Sequence, residues 1–427
     1  ATILALVMAI GLCSVSWATP PVNSADTLKT AVEAGGEITL DEDIEISETI
    51  SVSKSVTINL NSKTITGKSN EAGRRVFNVV AGGSLTLTGS GTITTESKND
   101  GTFPDNSSVI RVGDNTSGAA CGLVVGKDVK IIAPASYGIA VFGKNTKQTL
   151  EVSGTVTAKE ASAISGNGGA GYTGTEITIN DGATIISENN VAVYHPQAGT
   201  LTVKAANITG SGGIEIKSGT ANVNVAGANI KATGNVDHTV NNDGTSSRGY
   251  AIAVVENPGY KREPSAVIQN GEFVGAMDIL EDGKVSAEDK KGSLAISAGS
   301  FTVNVNDYVA ENTPVASAVK EDGSITYVVG SKLIADAANS GDKVTITKGG
   351  AVSGIKEGVT IAVDKGVEGV IINNVPVEAE QTYTVPTTST GGYYYYPTTD
   401  TKADDAKDSP KTADPGVALY AALSILS

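Results

Sequence analysis

The stretch that decides the fold is ITINDGATI, residues 177–185, in which two alternating apolar residues precede a short polar turn and a third apolar residue. The same phrase recurs at residues 85–93, 201–208, 223–230, 266–273 and 294–301. Within each copy apolar and polar residues alternate with a period of two, which indicates strands with one buried face rather than helices. We therefore predict a chain of short strands separated by turns.

The last apolar residue of each phrase sets the length of the repeat. Counted from Ile185, the steps are 23, 22, 43 and 28 residues, ending at Ile208, Ile230, Phe273 and Phe301. The step of 43 contains a polar insertion, residues 235–248. Self-similarity at a spacing of 20–50 residues is typical of solenoids, whose stacked turns share one continuous core.

A second short strand precedes the phrase, at residues 139–141, 191–193, 214–216 and 252–254. Two or three strands in each turn of 22–28 residues predict an all-β fold, a right-handed parallel β-helix. About ten turns, stacked about 4.8 Å apart, would form a rod on the order of 50 Å long. A β-sandwich stays open as the alternative, and it predicts antiparallel hairpins without the repeat spacing.

Helices are predicted as covers at both ends of the solenoid, because open strand ladders invite aggregation. Asp26 is expected to be the N-cap of a short helix that ends near Gly35. A similar helix opens at Ser331 and leads into a strand at residues 344–346, which predicts a C-terminal cap or a second small β module.

The composition restricts the classes of function. The net charge of −15 argues against nucleic-acid binding, because an acidic protein repels the phosphate backbone. The chain has two cysteines, Cys13 and Cys121. Because Cys13 lies in a segment that we expect to be removed, no disulfide framework is predicted, and Cys121 is expected to be a small buried residue.

The first 18 residues predict a secretory signal peptide. An apolar run over residues 1–13 is short for a membrane span, and small residues at Ser16 and Ala18 precede an expected cut after Ala18. A basic region before the apolar run is missing, so we interpret this signal as N-terminally truncated.

The last residues predict an anchor. A Thr/Pro/Gly-rich spacer at residues 387–408 has little apolar surface to bury and is expected to be disordered. It is followed by a pentapeptide and an apolar run that ends at Ser427. The pentapeptide consists of Ser409, Pro410, Lys411, Thr412 and Ala413.

This segment resembles the sorting signal of Gram-positive cell-wall proteins, a leucine-proline-x-threonine-glycine motif followed by a hydrophobic span and a basic tail. Here Ser409 stands in place of leucine and Ala413 in place of glycine, and the basic tail is absent. The resemblance implies that a sortase cysteine attacks the Thr412 carbonyl and transfers the chain to an amine of peptidoglycan. It therefore implies a cell-surface location.

A second resemblance concerns the body of the chain. Residues 50–52, 56–61 and 63–65 resemble the pectate-lyase-like right-handed β-helix of secreted Gram-positive adhesins. The likeness covers about residues 25–330 and implies architecture. The domains expected from both resemblances are a signal peptide at 1–18, a β-helix at 19–330, a C-terminal module at 331–386, a spacer at 387–408 and a truncated sorting signal at 409–427.

Many parallel β-helices cleave polysaccharides, so a lyase or hydrolase is the alternative function. Lyases need clustered carboxylates that hold Ca²⁺ and a basic residue nearby. Hydrolases need two carboxylates at a fixed separation. The acidic residues 41–43 and 404–405 fall at an edge and in the spacer. His195 precedes Pro196 and is expected in a turn, and His238 lies in the polar insertion. We predict no catalytic residue, metal or cofactor.

The connections after the second strand vary between 5 and 13 residues and are expected to leave the same corner of the solenoid. Insertions on one face of a repeat protein often form its binding face. The residues expected there are Tyr172, Tyr194, His195, Tyr260, Lys261 and Arg262. The sequence thus predicts a non-catalytic adhesin that binds a glycan or a host surface protein at this corner, with solvated turns or a ligand-free coat protein as alternatives.

Overall fold

The computed structural model describes residues 21–68, 75–96, 107–113, 118–144, 146–168, 172–223, 227–260, 263–283, 291–320 and 322–387. They belong to the first of two units, Ala1–Thr387, and the second unit is Thr388–Ser427. The predicted signal peptide, the sorting signal and all but one residue of the predicted spacer lie outside the described residues.

The described chain is a parallel β-helix with three faces, so the predicted fold class is confirmed. Face 1 is a ten-stranded sheet in which every strand pairs in parallel with the next turn. Its strands are Gly36–Thr39, Ser55–Asn59, Ser84–Thr88, Gly122–Val125, Gln148–Val152, Thr175–Ile179, Gly199–Val203, Thr220–Val223, Ser265–Ile268 and Ser293–Ile296.

Faces 2 and 3 share two long strands that turn from one face to the other, Thr184–His195 and Asn207–Ile216. The other strands of face 2 are Ile44–Ile46, Lys63–Gly67, Gly91–Thr95, Val129–Ala133, Thr155–Ala158, Ala228–Ala232, Gly271–Val274 and Gly299–Phe301. The other strands of face 3 are Ile50–Val52, Phe77–Val79, Ser108–Val112, Tyr137–Val141, Ile164–Gly166, Tyr250–Glu256 and Ala276–Glu281.

The core is built from ladders of inward side chains that stack from turn to turn. On face 2 the ladder aligns the last apolar residues of the phrases, so the predicted register is confirmed there. Its rungs are Ile44, Ile65, Ile93, Ile131, Val156, Ile185, Ile208, Ile230, Phe273 and Phe301. All ten are buried, and each buried aliphatic side chain contributes about 1.5–3 kcal/mol of hydrophobic stabilisation.

One phrase is shifted relative to the sequence prediction. The repeat at residues 223–230 implied that Val223 stacks on Leu201, but Ala221 does so, and Val223 pairs with Val203. The shift is two residues, which keeps the inward parity of the strand, so apolar residues still fill the core. The connection to face 2 is longer by the same two residues.

The N-terminal cover is the helix Ala25–Ala34, which buries Leu28 and Val32. Its N-cap is Ser24, not the predicted Asp26. The Ser24 hydroxyl accepts the backbone N–H of Thr27, and the Thr27 hydroxyl accepts the N–H of Ser24, which closes a capping box. Asp26 lies in the first turn, where its charge is favourable near the helix N-terminus.

The C-terminal end leaves the parallel pattern. Gly299–Phe301 pairs with Ile325–Val329 in antiparallel orientation, and a separate hydrophobic core that begins at Ala316 follows. We call this part the C-terminal module; the boundary predicted at residue 331 stays a prediction. The elements of the module are a 3₁₀ turn at Asn306–Tyr308, the helix Ser331–Ala337, and the strands Val315–Val319, Ile325–Val329, Lys343–Lys348, Gly350–Val352, Thr360–Val363, Val370–Ile372, Val375–Val377 and Thr382–Thr384.

Two further observations complete the fold. Cys121 is buried beside the core, as predicted. Within the described ranges, neither helix has the length and apolar character needed to cross a membrane.

Candidate functional site

The polar insertion at residues 235–248, which we call the strap, covers the outer side of face 3. Two short antiparallel strands, Asp237–His238 and Ser247–Arg248, close it on itself. Beneath it lies a small apolar cluster formed by Tyr250, Ala253, Val255 and Leu280. Face 3 is therefore buried on both sides along this part of the rod.

Three charged side chains lie under the strap, and we call them the charge cluster: Glu215, Lys217 and Asp282. The Nζ atom of Lys217 is 3.2 Å from Oε1 of Glu215 and contacts Oδ2 of Asp282. The three side chains are 0%, 1% and 3% exposed, respectively. Charged side chains are almost never this buried unless they are paired.

The alternation of the strand places these groups. Ile214 and Ile216 point into the core, so Glu215 between them points outward, and Lys217 follows with the same parity. Asp282 comes directly after the strand Ala276–Glu281, two turns further along the rod. The cluster therefore joins two turns that sandwich a third.

The strap supplies hydrogen-bond partners to the cluster. Glu215 accepts the backbone N–H groups of Ser246 and Ser247, each at 2.9 Å from Oε2, and the Ser247 hydroxyl at 2.7 Å. The Lys217 ammonium donates to the Gly244 carbonyl. The Nε2 atom of His238 is 2.9 Å from Oδ1 of Asp282. Each buried charge thus meets a partner of complementary polarity.

The electrostatics favour an ion pair. Burial would lower the pKa of Lys217, but the charges of Glu215 and Asp282 outweigh this effect and raise it above its usual value. Burial would likewise raise the pKa of Asp282, but the Lys217 ammonium lowers it, helped by hydrogen bonds from Lys217 and His238. Lys217 and Asp282 hold each other in the charged form.

Two of the predicted corner residues meet next to the cluster. Tyr194 pairs in register with Glu215, and its ring centroid is 5.6 Å from the Lys217 ammonium. Its hydroxyl is 3.3 Å from that of Tyr260. Burial, followed by the charge of Tyr260 and Glu215, raises the pKa of Tyr194 well above its usual value. Tyr194 is buried, whereas Tyr260 is only partly buried.

Gly168 makes the position of Tyr260 possible. A Cβ atom at Gly168 would lie 2.4 Å from Cε1 of Tyr260, so any side chain there would displace the ring. The connection that contains Gly168 belongs to an earlier turn than the one that contains Tyr260. Connections from different turns therefore meet at one corner, where Tyr260 keeps part of its surface exposed.

The remaining predicted corner residues are placed differently. Tyr172 is partly buried in the connection before Thr175–Ile179. Lys261 and Arg262 lie outside the described residues. Their binding roles, like those of Tyr194 and Tyr260, stay predictions.

The expectation that His195 lies in a turn was wrong. It is the last residue of Thr184–His195, it pairs in register with Ile216, and it is 1% exposed. Burial lowers its pKa to about 4, partly offset by a hydrogen bond to the Gly199 backbone. The inward parity of Val191 and Val193 continues through His195, so its ring faces the core and not a ligand.

The charge cluster was missed by the sequence analysis. A local signal existed, because the segment IEIK at residues 214–217 alternates apolar and charged residues next to the longest insertion. The acidic residues 41–43, expected at a solvated edge, are exposed.

Comparisons with protein-family models, curated proteins and solved structures found no match to this chain. In the part of the chain that the structure describes, no group of three or more His, Cys, Asp or Glu residues is arranged to hold a metal ion. Chemically, the charge cluster can hold turns together and exchange protons internally, because its side chains are covered from solvent.

Proposed function

We propose that this chain is a non-catalytic display rod or adhesin of a Gram-positive cell surface. In this proposal a sortase attaches it to peptidoglycan through Thr412, and the β-helix presents a binding corner. The observation that carries the non-catalytic part is the burial of Glu215, Lys217 and Asp282 under the strap.

Polysaccharide lyases and hydrolases need carboxylates or bases within hydrogen-bond reach of the substrate. In the charge cluster the carboxylate oxygens are already engaged by Lys217 and the strap, so a glycan oxygen would have to displace these contacts. This arrangement favours a structural role for the cluster.

We propose that binding occurs at the corner beside Tyr260, with a glycan or a host surface protein as the ligand. Tyrosine side chains offer a large apolar face with a polar tip, which suits sugar rings and protein surfaces. Tyr260 keeps part of its surface exposed, and Tyr172 lies in the same connection as Gly168, which approaches the Tyr260 ring. No nucleic acid is expected as a partner.

The test is retention of the purified chain on pectins, glycosaminoglycans and mucin glycans with Ca²⁺ present, together with detection of new reducing or unsaturated ends. Retention without new ends is expected, and Tyr260→Ala should weaken it at least tenfold. Tyr327→Ala, at a partly buried tyrosine of the C-terminal module, is the matched control and should bind normally. New ends would contradict the proposal and favour a polysaccharide lyase or hydrolase. If neither retention nor new ends is observed, a ligand-free coat protein is favoured instead.

Anchoring is tested separately in a sortase-expressing Gram-positive host. The chain should be released by muramidase with attached peptidoglycan fragments, and Thr412→Ala should abolish these fragments. A chain that is extractable by detergent alone would contradict the anchor.

A further inference from the structure

The charge cluster holds an amine and a carboxyl group, the two groups that condense to an amide, in contact and out of water. The Lys217 amine and the Asp282 carboxylate touch, and both side chains are almost fully buried. A second carboxylate, that of Glu215, lies 3.2 Å from the same nitrogen. A simple ion pair needs only one carboxylate, so the third group calls for an explanation.

We propose that Lys217 and Asp282 condense to an intramolecular amide bond, with Glu215 relaying a proton. The site would therefore be a self-modification site that links two turns of the rod covalently. The proposal is independent of ligand binding at the tyrosine corner.

The reaction balances without an oxidant or another reactant. The Lys217 ammonium passes one proton to the Asp282 carboxylate that it contacts, and the neutral amine then attacks Cγ of the resulting neutral acid. Glu215 takes a second proton from the nitrogen and delivers it to the departing Asp282 oxygen. The C–O bond then breaks, that oxygen leaves as water, and the third proton stays on the amide nitrogen. One positive and one negative charge are consumed.

Asp282 is the acid that reacts, because its oxygen is closer to the Lys217 nitrogen than that of Glu215 is. The oxygens of Glu215 accept hydrogen bonds from the backbone and hydroxyl groups of Ser246 and Ser247, which fix the carboxylate in place. The Asp282 side chain receives its other hydrogen bonds from His238, Asn257 and Ser246. The His238 contact can help the oxygen to leave, because the imidazole lies 2.9 Å from Oδ1.

Burial favours the condensation in two ways. Contact between the reacting groups replaces a bimolecular encounter with a preorganised one. Exclusion of bulk water protects the amide from hydrolysis once it has formed. Because the ion pair is stabilised before reaction, we expect the bond to form slowly after folding.

The bond would have a mechanical consequence for a rod. Lys217 and Asp282 lie on turns that flank the strand Tyr250–Glu256, and the strap crosses between them. A covalent link there would hold three turns together at the longest insertion in the predicted repeat.

The first measurement is the intact mass of the full chain after prolonged incubation. The expected mass is lighter by one water than the sequence requires. A tryptic digest should contain residues 205–231, uncut after Lys217, joined to residues 263–284. The joined peptide is needed because Asp282 precedes Gly283, and cyclisation of an Asp-Gly pair to a succinimide also loses one water.

The variants separate the roles of the three groups. Lys217→Arg keeps the positive charge but should lose no water, because the guanidinium is a poor nucleophile. Its intact mass should equal the mass that its sequence requires. Glu215→Gln should slow the loss of water by about 10²-fold or more. Asp243→Asn changes a residue of the strap outside the cluster and is the matched control. It should lose water at the same rate as the chain without substitutions. Full mass and two separate peptides in the unmodified chain would overturn the proposal regardless of how any variant folds.

Discussion

The face 2 ladder and the charge cluster are buried to the same degree but are held by different physics. Ile131 and its neighbours in the ladder are 0% exposed, and so is Glu215. The ladder needs only apolar surface of roughly the right volume, so each turn can supply its own rung. The cluster needs a specific partner for each charge, and those partners come from another turn and from the strap.

This difference shows how an insertion changes a repeat protein. The periodic part of the sequence builds one continuous core, whereas a single non-periodic segment creates a second buried region on the outside. We expect the ladder to respond to mutation in proportion to the volume removed. The cluster should respond to the number of charges left without a partner.

The largest expected effect comes from leaving charges unpaired. Lys217→Met should destabilise the fold by about 3–5 kcal/mol, because two carboxylates stay buried without their counter-ion. The free energy of unfolding in guanidinium chloride measures this loss. The result would also reveal whether the cluster contributes to the cooperative unfolding of the rod.

A second variant isolates the charges themselves. The triple variant Lys217→Met, Glu215→Gln, Asp282→Asn has no buried charge in the cluster and, like Lys217→Met, cannot form an amide. It should recover part of the loss, because neutral amides cost less to bury than carboxylates. If the triple variant is less stable than Lys217→Met alone, the charge argument fails.

The ladder provides the matched comparison for volume. Ile131→Ala should cost about 2–5 kcal/mol, since it leaves a cavity between Ile93 and Val156. The adjacent Ile132 is 38% exposed on the outer side of the same strand. Ile132→Ala is expected to stay within about 0.5 kcal/mol, because surface substitutions rarely do more. Equal losses at the two positions would contradict the inward parity.

The smallest expected effect concerns the buried imidazole of His195 on face 3 and depends on pH. The His195 pKa of about 4 lies below its usual value of about 6.5, so between these pH values the unfolded chain binds the proton more tightly. Stability is therefore complete above pH ~6.5 and falls as the pH approaches 4, by up to about 3 kcal/mol.

His195→Leu should remove this dependence, because leucine fits beside Ile216 and does not titrate. The measurement is the unfolding free energy at several pH values between 4 and 7. The only other histidine in the sequence is His238, so His238→Gln is the control and should keep the dependence. A pH profile that survives His195→Leu would mean that other groups cause it.

Much of the fold could be predicted because its signal is local and repeated. The phrases at residues 177–185 and 201–208 carry the alternation and the turn within nine residues, and their stacking follows from it. The phrase at 223–230 was placed two residues late, because the period of two allows that shift without exposing an apolar side chain. The N-cap was assigned to Asp26 because capping geometry, rather than residue type, distinguishes it from Ser24.

The candidate site was harder to predict because its parts are far apart in sequence. Tyr194 and Tyr260 were assigned to one corner from the lengths of the connections, and the structure brings their hydroxyls to 3.3 Å. His195 was misplaced because the following Pro196 indicates a turn. Its inward orientation depends on the strand continuing as far as the pairing of His195 with Ile216, which the sequence alone does not show.

The sequence by itself indicated the solenoid, the parallel direction of its strands and six of the ten rungs of its main ladder. Those properties follow from alternation within a few residues, and its repeat at a nearly constant spacing favours a solenoid over a β-sandwich. Only the tertiary structure decided that the strap lies over face 3 and that Lys217 meets Asp282. The physical reason is that charges 65 positions apart carry no periodic signal, and their burial depends on where a single non-repeating segment packs.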